Sequence, residues 1–567
     1  MNGLNGVLSN PLDIANGFND FFSNVGSNLA SYIKNTHVDP CSFIMGQYSS
    51  LHSFDPPTQQ EIRSIIMSLK NSAHGHDGIK SVLVKETIDY ILQPLTHIFS
   101  LFLKHGIVPQ DLKIAKVIPI FKSSDPKEFN NYRPISVLPC FSKILEKIIY
   151  SRLSTHLSAN SILYKHQYGF RKKHSTEHAL LQLINYIASA LDNNKFALGV
   201  FLDLSKAFDT VSHDILIAKL KRYGVEGTAL QWFISYLSNR EQYVHLNGIS
   251  SKKSTIMFGV PQGSILGPLL FLIYINDMPL SCSNLLPVLF ADDTNLITSH
   301  SNFNTLIQTV NDELLSISEW FQLNKLTLNI KKCNFMIFCN TNKFYPKDQA
   351  RIFINNAEID FAQHTKFLGV IIDSGLTWNN HIDLVAKRSS RMLGILRKVC
   401  PLIHSKAQLT LYYSFLFPFM NYCNIVWGAS HPTSLKKLTI IQKKYLRFIS
   451  YSSRYAPSDP LFKKYKILPI EKVNKYQTCL LIHKFIYRNQ DLPLTLQNLF
   501  VHTSNIHSYP TRHSNISLRA PRTRTSKYQF NIIYKGPKLW NDLSLPLRST
   551  ASFSAFKYQL KNHLLYS

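Results

Sequence analysis

Two short segments hold the acidic residues best placed to do chemistry. In Phe201-Leu202-Asp203-Leu204-Ser205-Lys206-Ala207-Phe208-Asp209, Asp203 closes a near-continuous apolar run. In Phe290-Ala291-Asp292-Asp293-Thr294, two adjacent acids stand where a turn would fall between apolar runs. A carboxylate flanked by Val, Leu and Phe is costly to bury unpartnered, and neighbouring carboxylates repel unless a cation neutralises them. A divalent metal meets both needs, and Mg²⁺ favours carboxylate oxygens together with substrate phosphates. Two such ions about 3.5–4 Å apart activate an attacking hydroxyl and stabilise the leaving oxygen of an in-line phosphoryl displacement. Each segment alone also has a plainer reading, because Asp suits hairpin turns without any metal.

The composition narrows the partners. The chain has 567 residues, with 62 Lys+Arg against 34 Asp+Glu and a formal net charge of +28. A folded chain this basic favours a polyanion, of which nucleic acid is the commonest. With 45% hydrophobic and 12% aromatic residues it can bury a sizeable core. The eight cysteines form no C-x-x-C pair, so zinc ribbons and knuckles have no support, and their scatter fits a reduced intracellular protein. The N-terminus lacks a basic start followed by an apolar run, so no signal peptide is expected. The charge-free stretches Ser254 to Asn276 and Ala407 to Leu435 carry Pro261, Gln262 and Gly263, and Pro418, Asn421 and Asn424. They read as buried core rather than membrane spans.

The elements that would hold the acids follow from periodicity. Residues 1–60 read as a lead-in with a helical pattern and a polar link. Helices are expected over EIRSIIMSLKNS, over 95–106 before Gly106 and Pro109, and over 213–224, 229–240, 266–278 and 304–326. Strands are expected over 116–121, over 197–204 as a buried run, and over KCNFMIF and KFLGVIID. Asn247-Gly248 marks a hairpin, and 287–298 reads as two strands around the acidic turn. Beyond residue 376 the pattern is mostly helical and basic. The fold class is α+β.

Eight segments in order resemble the reverse transcriptases of non-LTR retrotransposons of the long-interspersed, jockey-like kind. They are HGHDGIK (74–80), VIPIFKSSDPKEFNNYRPISVLP (117–139), QYGFRKKHST (167–176), FLDLSKAFDTV (201–211), GVPQGSILGPLLF (259–271), FADDT (290–294), LNIKKCNFMIF (328–338) and KFLGVIID (366–373). The resemblance implies a right-hand polymerase fold, with fingers and palm over 61–374, a helical thumb over 375–450 and a basic C-terminal region over 451–567. It implies two Mg²⁺ ions, with Mn²⁺ as a substitute, held by Asp203, Asp292, Asp293 and the Leu204 carbonyl. Lys122 and Arg133 would contact the incoming triphosphate, as a point charge and a guanidinium fork suit phosphate. Phe208 would block a ribose 2′-hydroxyl, Gln262 and Gly263 would lie near the sugar and template, and Lys332 would protonate the departing pyrophosphate.

The same resemblance implies template RNA, primer or target DNA and deoxynucleoside triphosphates as partners, no membrane, and an intracellular, nuclear lifestyle. Basic helical faces with Lys387, Arg388 and Arg391, and with Lys436, Lys437, Lys443, Lys444 and Arg447, would track a duplex backbone. Two departures stand out: HGHDG replaces the usual S-P-G-P-D-G kind of loop, and Cys333 stands where Thr is frequent. Relatives usually carry an upstream endonuclease, and this chain starts in what reads as the linker after it, as a truncated copy would. The competing reading is a catalytically inactive nucleic-acid-binding remnant. An intron-maturase or telomerase-like relative is disfavoured by KGPKLWNDL (535–543), which resembles jockey-like C-termini.

Overall fold

The apolar run expected to be a buried strand is one: all seven residues of Phe196–Leu202 are buried. It is the central strand of a five-stranded sheet in a computed structural model. The structure describes the chain except residues 4–5, 34–37, 341, 347–348 and 506–515. Helices and strands are mixed, and the chain divides into two units that interleave in sequence. One comprises Met1–Tyr164, Asp203–Ser283 and Asp312–Ile330; the other comprises Lys165–Leu202, Asn284–Asn311 and Lys331–Ser567.

The first unit is built on a sheet around Ile114–Phe121. That strand pairs antiparallel with Tyr132–Val137 and parallel with Arg240–Leu246. Arg240–Leu246 turns at Asn247-Gly248, both at positive φ, into Ile249–Ser250, so the expected hairpin is present. It also pairs with Ser254–Ile256. The helix Pro11–Ser31 covers this sheet, placing Phe18 and Phe22 on Ala115, Val117, Leu138 and Val244. Asn19 donates to the Lys252 carbonyl and the Ser254 hydroxyl. The lead-in helix is therefore part of this core. A buried ion pair ties His213–Arg222 to Asp277, just beyond Gly267–Ile275. The Lys219 ammonium meets Asp277 Oδ1 at 2.5 Å and the Tyr274 carbonyl at 2.7 Å, while the Trp320 indole donates to Asp277 Oδ2.

In the second unit the strand order is Asp360–Phe361, Asn334–Phe338, Phe196–Leu202, Asp293–His300, Leu286–Phe290. The helix Thr176–Asp192 packs on this sheet. One apolar cluster then runs from Leu180 through the helices Asn379–Val399, Pro432–Ile449, Ile470–Tyr487 and Phe553–Tyr566 to Leu565.

Two elements differ from expectation. The helix expected over 95–106 is longer, Ile88–His105, and runs through Pro94. KFLGVIID is a hairpin, not one strand: His364–Phe367 and Val370–Asp373 flank Leu368 and Gly369, both at positive φ. Near the C-terminal end, Ser526–Gln529 forms a single helical turn. No described helix is long and apolar enough to cross a membrane.

Candidate active site

In the first unit, the segment beginning at Asp203 is pinned by backbone bonds. The Asp203 carbonyl accepts from the Asn329 amide at 2.8 Å, Leu204 bridges Leu328, and the Ser205 amide donates to the Thr327 carbonyl. Asp203 is half-buried and Leu204 buried. The chain then turns through Lys206, at positive φ, into Phe208 and Asp209. The Phe208 ring stacks on Phe271 with centroids 4.6 Å apart.

Pro261-Gln262-Gly263 is clamped from two sides. The Ser136 amide donates to the Gln262 carbonyl at 2.7 Å, and Gln262 Nε2 donates to Asp209 Oδ1 at 2.8 Å. Gly263 has φ 116°, and a Cβ there would lie 2.6 Å from the Ser136 oxygen, so this approach needs glycine. Burial pushes the Asp209 carboxyl up to about 6, opposed by the Gln262 hydrogen bond and the nearby Lys206 charge. Asp209 thus orients a residue that the sequence singled out, although its own role was not legible there.

Lys122 and Arg133 lie on one hairpin of the same unit. Arg133 stands opposite Ile120, and the Lys122 amide donates to the Asn131 carbonyl just beyond the Phe121–Tyr132 pair. Both side chains are exposed. Pro134 and Ser136 are buried while Arg133 and Ile135 are exposed, the alternation a half-buried strand imposes.

The second unit holds the acidic hairpin. Phe290 pairs with Asp293, leaving Ala291-Asp292 as a two-residue turn. Such turns need positive φ at the first central residue, and Ala291 supplies it at 56°. That conformation costs a non-glycine residue energy, and a specific clamp holds it. Gln167 Oε1 accepts from both the Gly169 and Ala291 amides at 2.9 Å. The Tyr168 amide donates to the Leu289 carbonyl, and the Leu289 amide to the His166 carbonyl. A Cβ on Gly169 would lie 2.3 Å from the Ala291 nitrogen. Asp292 is half-buried and Asp293 exposed.

Thr294, next to Asp293, pairs with Leu202, the residue before Asp203. Lys332 is exposed in a single turn, Ile330–Lys332, ahead of the strand whose Asn334 pairs with Phe201. Among the described residues no group of three or more His, Cys, Asp or Glu side chains stands ready to hold a metal ion. The acids offer only oxygen donors, the chemistry Mg²⁺ accepts, and that ion completes its shell with substrate phosphates and water. In that sense the donor set fits.

Of the basic residues, Lys387, Arg388 and Arg391 are exposed on Asn379–Val399, and Lys436, Lys437 and Lys444 on Pro432–Ile449, which packs beside it. Lys437 also pairs with Asp383 at 2.5 Å. Lys443 and Arg447 are half-buried, and the Arg447 guanidinium donates to the Ala456 carbonyl, so part of its role is structural.

Comparison with known proteins gives a consistent picture. Residues 122–372 match the family model described as reverse transcriptase (RNA-dependent DNA polymerase). The chain is similar to the RNA-directed DNA polymerase from mobile element jockey of Drosophila melanogaster. The two are 30% identical over 434 residues, which cover 72% of this chain and 46% of that protein. It is also similar to two further proteins of that organism. With the probable RNA-directed DNA polymerase from transposon X-element it is 28% identical over 437 residues, covering 75% of this chain and 47% of the relative. With the probable RNA-directed DNA polymerase from transposon BS it is 28% identical over 466 residues, covering 77% and 50%. The chain spans about half the length of the curated relatives it matches.

Proposed function

Because this chain carries a reverse transcriptase domain and is similar over most of its length to RNA-directed DNA polymerases of non-LTR elements, we propose that it copies RNA into DNA. It adds deoxynucleotides to a primer 3′-hydroxyl, and the fingers, palm and thumb of a right-hand polymerase are the architecture that would do so. The observation that carries the reading is the match of residues 122–372 to the reverse transcriptase family model.

Asp203, Asp292, Asp293 and the Leu204 carbonyl would hold two Mg²⁺ ions, which when bound activate the 3′-hydroxyl and stabilise the departing oxygen. The chain's own residues do the positioning. Lys122 and Arg133 receive the triphosphate with fixed positive charge. Gln262, oriented by Asp209, faces the nucleotide and template. The Phe208 ring, which stacks on Phe271, would exclude a ribose 2′-hydroxyl by its bulk. Lys332 supplies a proton to the leaving pyrophosphate. The exposed cations of the two paired helices track the duplex backbone through charge rather than sequence. Template RNA, primer or target DNA and deoxynucleoside triphosphates are the partners, and the nucleus is the compartment where they meet.

The test is primer extension on RNA with Mg²⁺. Wild type should extend, while Asp203→Asn and Asp292→Asn should fall by about a thousandfold or more, the scale set by removing one strong electrostatic stabiliser of a transition state. A remnant that only binds nucleic acid predicts no extension by any form, with salt-sensitive RNA binding indifferent to Mg²⁺. Extension that survives either substitution would overturn the assignment of the acids.

A further inference from the structure

A cavity of about 390 Å³ lies within the second unit, lined by none of the residues assigned above. One wall is the helix Thr176–Asp192, through Leu181, Ile184 and Ala188. Another is the Trp378 turn, and a third is the C-terminal segment around Phe530 and Ile532. The volume falls within the range of small-ligand sites, and mostly apolar walls with a few polar groups are their usual make-up.

One residue makes this more than a packing gap. Asn185 lines the cavity, is 8% exposed, and neither its Oδ1 nor its Nδ2 has a hydrogen-bond partner among the described residues. A buried amide left unpaired costs about 1–3 kcal/mol, so such a group ordinarily has a partner. Neighbouring polar groups already have partners. Ser434 donates to Asn379 at 2.7 Å, and the Asn531 oxygen caps its own helix through the Ile533 amide. Lys527, half-buried, also lines the cavity.

The cavity is held by the C-terminal region rather than formed by chance contact. The Arg524 and Thr525 amides and the Thr525 hydroxyl all bond Asp192 Oδ1, at 2.8, 2.8 and 3.0 Å. Asp192 ends the helix that carries Asn185. The basic segment over 519–529 is thereby fastened so that Lys527 and Phe530 become part of the wall.

We propose that this cavity binds a nucleobase carrying a phosphate. An amide presents one acceptor and two donors side by side, the complement of an adjacent donor and acceptor on a base edge, as in the paired contact of Asn with adenine. Apolar walls with Trp378 and Phe530 receive the ring, and Lys527 neutralises the phosphate. The same chemistry has two sources: a free nucleotide, or an unstacked base of bound RNA.

Equilibrium dialysis of the full chain with each of the four nucleoside 5′-monophosphates, in EDTA and without primer, reads the free form. Crosslinking of short 4-thiouridine- and 6-thioguanosine-containing RNAs, mapped by peptide mass spectrometry, reads the bound form. Two readouts support the proposal: saturable binding of at least one monophosphate, or crosslinks to peptides containing Leu181–Ala188 or Lys527–Ile532. Asn185→Leu should weaken that binding about ten- to a hundredfold while melting no lower than wild type, since it removes an unpaired buried amide. Lys527→Ala should weaken the monophosphate but not the nucleoside. Absence of both binding and crosslinks, or unchanged binding by a folded Asn185→Leu variant, would overturn the proposal and leave an empty cavity only. If Asn185→Leu fails to fold, the Lys527→Ala comparison decides alone.

Discussion

Single side chains decide the chemistry in the proposed site. Asp209 is held by burial with its carboxyl raised to about 6. Between the ordinary carboxylate range and that value, the folded chain binds a proton that the unfolded chain has already released, so stability falls as pH rises through this window. Asp209→Asn cannot ionise yet keeps an oxygen for Gln262. Its melting temperature relative to wild type should therefore be higher at pH 7 than at pH 4.5, and paired melting curves at the two pH values check this. A gap that fails to widen would remove the buried carboxylate as the cause. Phe208, stacked on Phe271, is expected to discriminate by shape: Phe208→Ala should raise ribonucleotide incorporation about tenfold or more relative to deoxynucleotides, the scale of a single steric contact. Parallel single-nucleotide extension assays measure that ratio. Local pattern marked Asp203, Asp292 and Asp293 as acids at a strand end and in a turn, and only the resemblance carried by the surrounding segments gave them a metal-binding role. Gln167 and Asp209 were not. Gln167 acts on Ala291 across 124 residues of sequence and Gln262 on Asp209 across 53, and no periodicity reports a side chain that reaches so far.

At the scale of elements, the acidic turn depends on a neighbour it does not adjoin in sequence. Gly169 leaves room for Ala291, and any Cβ there would collide with its backbone nitrogen. Gly169→Ala should displace the turn that carries Asp292 while the surrounding sheet persists. A misplacement of about 1 Å can cost about a hundredfold in rate, so extension should fall steeply while the far-ultraviolet circular dichroism is retained. Full activity in that variant would show that the turn tolerates the shift. Element type was legible wherever one period ran long enough, as in Phe196–Leu202 or Phe303–Leu323. KFLGVIID misled because its middle, Phe367 to Ile372, has no polar residue, which hides a turn: Leu368 and Gly369 reverse the chain while Phe367 and Val370 stay buried. A glycine inside an apolar strand pattern is the one signal that could have announced it. The lead-in helix likewise hid its place, because Phe18 and Phe22 pack on strands more than ninety residues away.

For the whole molecule, the charge of +28 sets the terms of binding. Removing one cation that neutralises a phosphate should lower the slope of log affinity against log salt by about 0.7–0.9. Replacing Lys387, Arg388 and Arg391 together with Ala should flatten the slope for RNA accordingly, with primer-template titrations between low and moderate salt as the measurement. Lys437 should contribute less than Lys436, since Asp383 already neutralises it. An unchanged slope would place the duplex elsewhere on the surface. Net charge was plain from composition; the interleaving of the two units was not, because it is set by which distant strands pair.

That interleaving bears on how the chain comes into being. The sheet carrying the acidic hairpin draws strands from residues 196–202, 286–300, 334–338 and 360–361, and its apolar cluster closes only with Leu565. The other unit needs residues as late as Ile330. During synthesis from the N-terminus, the first unit waits for more than half the chain and the second for nearly all of it. Its central strand, seven apolar residues without a polar break, must meanwhile stay unpaired or shielded. Phe196–Leu202 and Asp293–His300, neighbours in the finished sheet, are made as strangers separated by a long interval of translation.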